Sequence, residues 1–302
     1  MAATLALTAV GLASASPGQD AGVRSSSFEL LFNNDGSSVV SCPPGSVAVG
    51  GGLGVAAGPP GVPNSAINVS GPVNASQLTS HTKSGDAARG WYASAYSGTA
   101  SEVDFKTFAI CSRSSAARLR VRSFAIGPGR TRTAIVSCPP HQRALGGGLG
   151  VSDGQENGVY QISSGPLAGS GGVASANTGD VARRWMVSAY NGFPAKRSFK
   201  AMVTCARTGN ARIVSDKVDV NPNDSTEIAA ACPPADRALG GGLSILGSPT
   251  PLLDVISDGP QGPSGTTATT MDGDLVRYWD GSVYNRAPAV RFFKVFAICA
   301  SR

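Results

Sequence analysis

The chain has 302 residues, of which 41% are apolar and only 15% charged, with 39 glycines, 20 prolines and six cysteines. That apolar content excludes a disordered chain, the glycines lack a three-residue period, and no run of 18 or more apolar residues offers a membrane-crossing helix. The net charge of +6 is spread over the whole length and favours an anionic partner only weakly.

The N-terminal stretch is apolar from Ala2 to Ala13 and closes with Ala13-Ser14-Ala15, so residues 1–15 read as a secretion signal with a small-residue cleavage site. After it the chain repeats itself three times. SCPPGSVAVGGGLGV at Ser41 returns as SCPPHQRALGGGLGV at Ser137 and as ACPPADRALGGGLSI at Ala231. Ser70-Gly71-Pro72 returns at Ser164 and, as Asp-Gly-Pro, at Asp258; Trp91 returns at Trp185 and Trp279. A fixed period of this kind sets the architecture before any local motif is weighed. The expectation is three homologous units of about 94 residues, spanning 24–115, 116–209 and 210–302.

Each unit holds two cysteines: Cys42 and Cys111, Cys138 and Cys205, Cys232 and Cys299. Repetition leaves two sensible pairings, one within each unit and one that links neighbours and closes a ring. The within-unit pairing is preferred, because a unit that was duplicated had to be stable beforehand. Each such bond closes a loop of about 67 residues, which stabilises by about 4 kcal/mol in the chain-entropy estimate. Metal ligation is a poor rival, since no CxxC spacing exists and His81 and His141 occupy non-equivalent positions.

Within the first unit, strands are expected near 28–32, 38–42, 47–55, 66–69, 91–96 and 103–111, cut by Gly, Pro and Asn clusters, and no window carries a helical period. The fold class is therefore all-β, with three disulfide-pinned repeats packed together. Small sandwiches, small barrels and a pseudo-three-fold prism all remain open. Each GGG run, at Gly50, Gly146 and Gly240, marks a bulge or a close backbone crossing and no phosphate loop, because no helix follows it.

Strand parity places Trp91, Trp185 and Trp279 on an apolar face, so they read as core. Tyr96, Tyr190 and Tyr284 fall on the opposite face with Ser94, Ser188 and Ser282, which makes this the face for an external ligand. Asp86 and Arg89, with Asp180 and Arg183 and with Asp274 and Arg277, offer either a thrice-repeated polar site or a turn-closing ion pair, the second being the plainer reading. Arg118, Arg120 and Arg122, near Arg113, Arg130 and Arg132, form the one basic cluster. It fits an anionic cell-wall polymer or, more simply, an edge strand kept from aggregating by charge. No Ser, Cys or carboxylate arrangement singles out a catalytic centre.

The CPP…ALGGG, RxWxxSAYN and FKxFAIC segments, running from Cys42 to Cys111, Cys138 to Cys205 and Cys232 to Cys299, resemble repeats in secreted actinobacterial proteins that carry no known activity to transfer. The three-fold organisation is also similar, more faintly, to vitelline membrane outer layer proteins. That likeness implies a prism of three β-sheet repeats with a carbohydrate-related role. The expected function is a secreted, non-catalytic module that recognises carbohydrate or a cell-envelope polymer through three shallow sites. A structural or protein-interaction role in an envelope or spore coat is the alternative, and a secreted hydrolase ranks third. No cofactor or metal is expected, and nucleic acid is disfavoured as a partner.

Overall fold

The computed structural model describes residues 20–57, 65–113, 115–154, 156–169, 171–262 and 266–301; the expected signal segment 1–15 lies outside the described residues. The first repeat supplies strands β1 (Gly22–Leu30), β2 (Asn34–Ser41), β3 (Val47–Ala57), β4 (Ser65–Val73), β5 (Gly90–Ser97) and β6 (Val103–Ser112). The second supplies β7 (Arg118–Ile126), β8 (Arg130–Ser137), β9 (Arg143–Val151), β10 (Val159–Ala168), β11 (Ala182–Asn191) and β12 (Arg197–Ala206). The third supplies β13 (Arg212–Val220), β14 (Asp224–Ala231), β15 (Asp236–Leu246), β16 (Leu253–Gln261), β17 (Tyr278–Asn285) and β18 (Arg291–Ser301). The first strand differs from expectation. It starts earlier, at Gly22, and ends before Leu31 and Phe32, because Asn33 turns the chain with φ +56° into β2.

Each repeat folds into two antiparallel three-stranded sheets packed face to face. In the first, β1-β6-β3 lies against β2-β5-β4, and Trp91 from β5 reaches across to the backbone of β3. Disulfides Cys42–Cys111, Cys138–Cys205 and Cys232–Cys299 each close within one repeat and tie the end of its second strand to its last, as the within-unit pairing requires.

The repeats then join edge to edge. β3 bridges β16 at Leu53 and Asp258, and β15 bridges β10 at Leu243 and Ser164, giving two six-stranded sheets. At the equivalent third seam β9 abuts β4 so closely that a Cβ on Gly148 would fall 2.0 Å from the Ser70 carbonyl oxygen. Every repeat thus donates half a sheet to each neighbour, and the three form a ring about a pseudo-three-fold axis. Of the arrangements left open by the sequence, the sandwich describes one repeat and the prism describes the whole.

The glycine triplets make this packing possible. A Cβ on Gly50 would meet the Leu239 carbonyl oxygen at 2.3 Å, one on Gly240 the Leu145 oxygen at 2.3 Å, and one on Gly146 the Val49 oxygen at 2.7 Å. The first glycines therefore cross on the axis. The second lie under the indoles, with Gly51 2.4 Å from Trp91 by the same measure and Gly241 2.3 Å from Trp279. The third face the Ser-Gly-Pro or Asp-Gly-Pro strand of the next repeat. A register shift just before each triplet marks the bulge that the sequence also anticipated.

Trp91, Trp185 and Trp279 are fully buried and each donates its indole N–H to a repeated acceptor, Ser70 Oγ at 2.9 Å, Ser164 Oγ at 2.9 Å and Asp258 Oδ1 at 2.7 Å. A ring of lysines ties the repeats together. Lys106 donates to Thr270 O at 2.8 Å, Lys200 to Thr82 O at 2.9 Å and Lys294 to Ala176 O at 2.6 Å, each reaching a turn of a different repeat. Burial lowers the pKa of Lys200 and Lys294, and the turn carbonyls hold their charge in place.

Substituting Gly50→Ala is expected to destabilise by about 3 kcal/mol or to prevent folding, because the obstacle is backbone of another repeat and cannot yield. Gly22→Ala, which meets no atom within 4 Å, is the control and should leave thermal unfolding nearly unchanged. Asp258 gives a pH signature. Burial pushes its carboxyl up to about 7, against hydrogen bonds from the indole and from the Leu243 backbone that favour the charged form. The native state therefore holds this proton more tightly than the unfolded chain, so the stability it confers is full in acid and declines as pH rises from about 4 towards 7, by roughly 3–5 kcal/mol. Asp258→Ser, which copies the other two repeats, should raise the melting temperature at pH 8 well above its effect at pH 4. An equal change at both values would contradict this account.

Candidate functional site

The face of β2-β5-β4 that carries Ser94 and Tyr96 bears two adjoining cavities. Tyr96 and Ser94 on β5, two residues and about 7 Å apart on one strand face, each line one of them.

The first cavity, about 300 Å³, is lined by Phe32, Asn33, Ala66, Tyr96, Gly98, Tyr160, Asp254 and Arg286. Ala66, Tyr160 and Asp254 are equivalent positions, the cross-strand partners of Tyr96, Tyr190 and Tyr284. One cavity touched by the same position of all three repeats straddles the pseudo-three-fold axis. Its walls are aromatic, from Phe32, Tyr96 and Tyr160, and Phe32 is 63% exposed at the lip. Tyr96 donates its hydroxyl to Asn33 Oδ1 at 2.7 Å, which fixes the ring. Arg286 Nη2 donates to Asp254 Oδ1 at 2.7 Å, while Asp254 Oδ2 is buried with no hydrogen-bond partner. Burial pushes the Asp254 carboxyl up to about 6, and Arg286 restrains the rise.

The second cavity, about 320 Å³, lies between the first two repeats, where Gly154, Glu156 and Asn157 of the second face β2, β4 and β5 of the first. Asp35, Ser37, Asn68, Ser94, Glu156, Phe193 and Arg197 line it. Asn68 donates its amide to Asp35 Oδ1 at 2.6 Å, and its own Oδ1 has no partner. Tyr92 donates its hydroxyl to Glu156 Oε2 at 2.5 Å. Burial raises the pKa of Glu156, nearby Ser94 and Tyr92 lower it, and Asp35 and Asp153 raise it further. Arg197 pairs with Asp153 at 3.5 Å and stacks on Phe193 at 3.9 Å.

The expected site residues are distributed as follows. Of the tyrosines, Tyr96 lines the axial cavity, Tyr190 stacks on Tyr160 at 6.3 Å, and Tyr284 is half-buried opposite Asp254. Ser94 and Ser188 are buried, Ser94 at the second cavity and Ser188 bonded to Thr133 Oγ1 at 2.7 Å, and Ser282 is half-buried. Asp86, Asp180 and Asp274 accept turn N–H groups from Lys83, Asn177 and Met271 at 2.8–2.9 Å. The ion pair expected to close these turns does not form. Arg89 instead donates to Ser46 O and Arg277 to Cys232 O, while Arg183 is exposed. The turns are thus ordered by Asp accepting from the backbone, which satisfies the N–H groups directly.

The basic cluster lies where an edge strand was expected, since β7 is the outer strand of its sheet. Arg122 donates to Ile135 O and Arg132 to Ala125 O, so the two successive edges, β7 and β8, cap each other's carbonyls. Three acids, Glu29, Glu102 and Asp104, bring carboxylate oxygens within 4.8 Å of one another beside β6, where Glu29 raises the pKa of Glu102.

Sequence reasoning missed the floor of both cavities. Asp254 and Asn68 sit where the other copies carry Ala66 and Tyr160, or Ile162 and Ile256, so comparing repeats for what they share discards them. The signal that finds them is the opposite one, a polar residue in a single copy at a position the others keep apolar or aromatic. No protein-family model and no curated protein matches the chain.

Proposed function

We propose that this protein is a secreted, non-catalytic carbohydrate-binding module that holds one sugar unit in the axial cavity. The observation that carries this reading is the cavity's chemistry. Aromatic walls from Phe32, Tyr96 and Tyr160 face Asn33, Asp254 and Arg286, and Asp254 Oδ2 lacks a partner. A sugar ring has an apolar C–H face for an aromatic surface and a rim of hydroxyls that both donate and accept, so it suits the flat walls and the polar floor together. A purely apolar ligand would leave the buried carboxylate oxygen unpaired. The three disulfides are compatible with an extracellular setting, and no helix among the described residues is long and apolar enough to cross a membrane.

This reading replaces three equivalent shallow sites by one site assembled from three repeats. The exposed pair Leu31, at 58%, and Phe32 favours a second reading in which the same lip contacts a protein partner in the envelope.

A glycan array followed by calorimetry checks the proposal. Binding should show one site per chain, and Tyr96→Ala or Asp254→Asn should weaken it at least about tenfold, the loss expected for one buried aromatic or charged contact. Tyr284→Ala, which neighbours Asp254 but does not line the cavity, should weaken it less than Tyr96→Ala does. A stoichiometry of three, or equal losses at Tyr96 and Tyr284, would restore the equivalent-site view; no glycan binding, with loss of a protein partner in Phe32→Ser, would favour the second reading.

A further inference from the structure

The second cavity has a different character from the first, and it is built at a position where one repeat breaks the pattern of the other two. In β4, β10 and β16 the pairing with the following strand skips one residue, leaving Asn68, Ile162 and Ile256 as the extra residue of a bulge. All three are buried. Two copies show that the fold accepts isoleucine there, where it fills the core without a polar group. The first copy instead buries an amide whose Oδ1 has no hydrogen-bond partner, a choice that costs stability on folding grounds alone. Bulges recur beside binding sites because they re-aim one side chain out of the ladder.

What surrounds Asn68 defines what it is for. One of its amide hydrogens goes to Asp35 Oδ1, and the atom it leaves buried without a partner is an acceptor, Oδ1. Glu156 accepts from Tyr92 and keeps a second carboxylate oxygen, and the charges that act on it from Asp35 and Asp153 are both negative. Arg197, the cation of the cavity, is held by Asp153 and stacked on Phe193. The wall therefore has a surplus of acceptors and of negative charge, and its complement is a group that brings several hydrogens and a positive charge. A primary ammonium has three donors and no acceptor.

We propose that the cavity between the first two repeats is a separate binding site for a primary ammonium group, held by Asn68 Oδ1, Asp35 and Glu156. The ligand class is an aliphatic amine or an amino sugar with a free amine. The site does not depend on sugar binding in the axial cavity. A ligand that occupies both has at least two units, since Tyr96 and Ser94, one in each cavity, are two residues apart on one strand face.

The test compares 2-aminoethanol with ethane-1,2-diol, which have the same number of heavy atoms and differ in the ammonium, by titration into the isotope-labelled protein while the side-chain amide of Asn68 is followed by NMR. 2-Aminoethanol should bind saturably and at least tenfold more tightly than the diol. Asn68→Ile, which copies the other repeats, should fold with equal or higher thermal stability and lose that preference. Glu156→Gln, in the second repeat, should reduce the preference at least threefold, and Tyr96→Ala should leave it intact. Equal binding of the diol, no saturable shift with either compound, or a preference that survives both Asn68→Ile and Glu156→Gln overturns the proposal. Loss of amine binding in Tyr96→Ala would also overturn it, by showing that the two cavities are one site. Failure of glycan binding with amine binding retained would sink only the carbohydrate reading.

Discussion

Three backbones cross on one axis with no side chain between them, and the rest of the molecule follows from that constraint. Gly50, Gly146 and Gly240 each approach the backbone of the next repeat so closely that a single methyl group would overlap a carbonyl oxygen. Strands brought this near can continue each other's sheets, so each repeat's third and fourth strands become the inner edges of two different sheets. The second glycine of each triplet then leaves the hollow that an indole fills, and the buried indole needs an acceptor, which the Ser-Gly-Pro or Asp-Gly-Pro strand provides. The disulfides work at a different level. They hold each sandwich shut, while the glycines and the lysine ring govern how the sandwiches meet.

Symmetry of this kind makes the axis a natural place for a site, because one position of the sequence arrives there three times. A ligand without three-fold symmetry has no use for three identical contacts. The repeats can differ at such a position without harm to the packing, since the end of the axis opens to solvent and the strands beneath are already fixed. Ala66, Tyr160 and Asp254 illustrate the outcome: one copy is small and makes room, one offers a flat ring, and one brings charge. The third repeat also carries Asp258 and Asp280 inside the sheet, where burial raises both carboxyl pKa values and Ser257 donates to Asp280 at 2.6 Å.

Much of the fold was legible because repetition cancels noise. A tryptophan or a glycine that returns at a constant interval is constrained by packing, and parity along a strand then assigns its face. The cysteine pairing, the buried indoles and the close crossing at the glycines could all be read in this way. Which strands meet at each seam could not, because two of the seams are single bridges between inner strands and all are written in glycines that look alike in every copy. The end of β1 was misplaced for a different reason. Leu31 and Phe32 are apolar, as strand residues would be, yet they follow the strand, and Phe32 sits on the turn at the lip of the axial cavity.

The candidate sites were legible only in part, and the reason is physical. What the copies share must serve the shared packing, so the conspicuous motif residues are spent on it: Asp86 on a turn, Trp91 in the core, Ser188 on a neighbouring threonine. A binding site needs groups that the protein itself leaves unsatisfied, and such groups carry a folding cost that selection removes wherever it has no use. In a repeat protein the other copies supply the reference state. Isoleucine at positions 162 and 256 shows what the bulge holds when packing alone decides, and asparagine at position 68 departs from it in the direction of lower stability. The same comparison applies to Asp254 beside Ala66 and Tyr160. Function in this chain is to be sought where a copy gives up packing that its siblings keep.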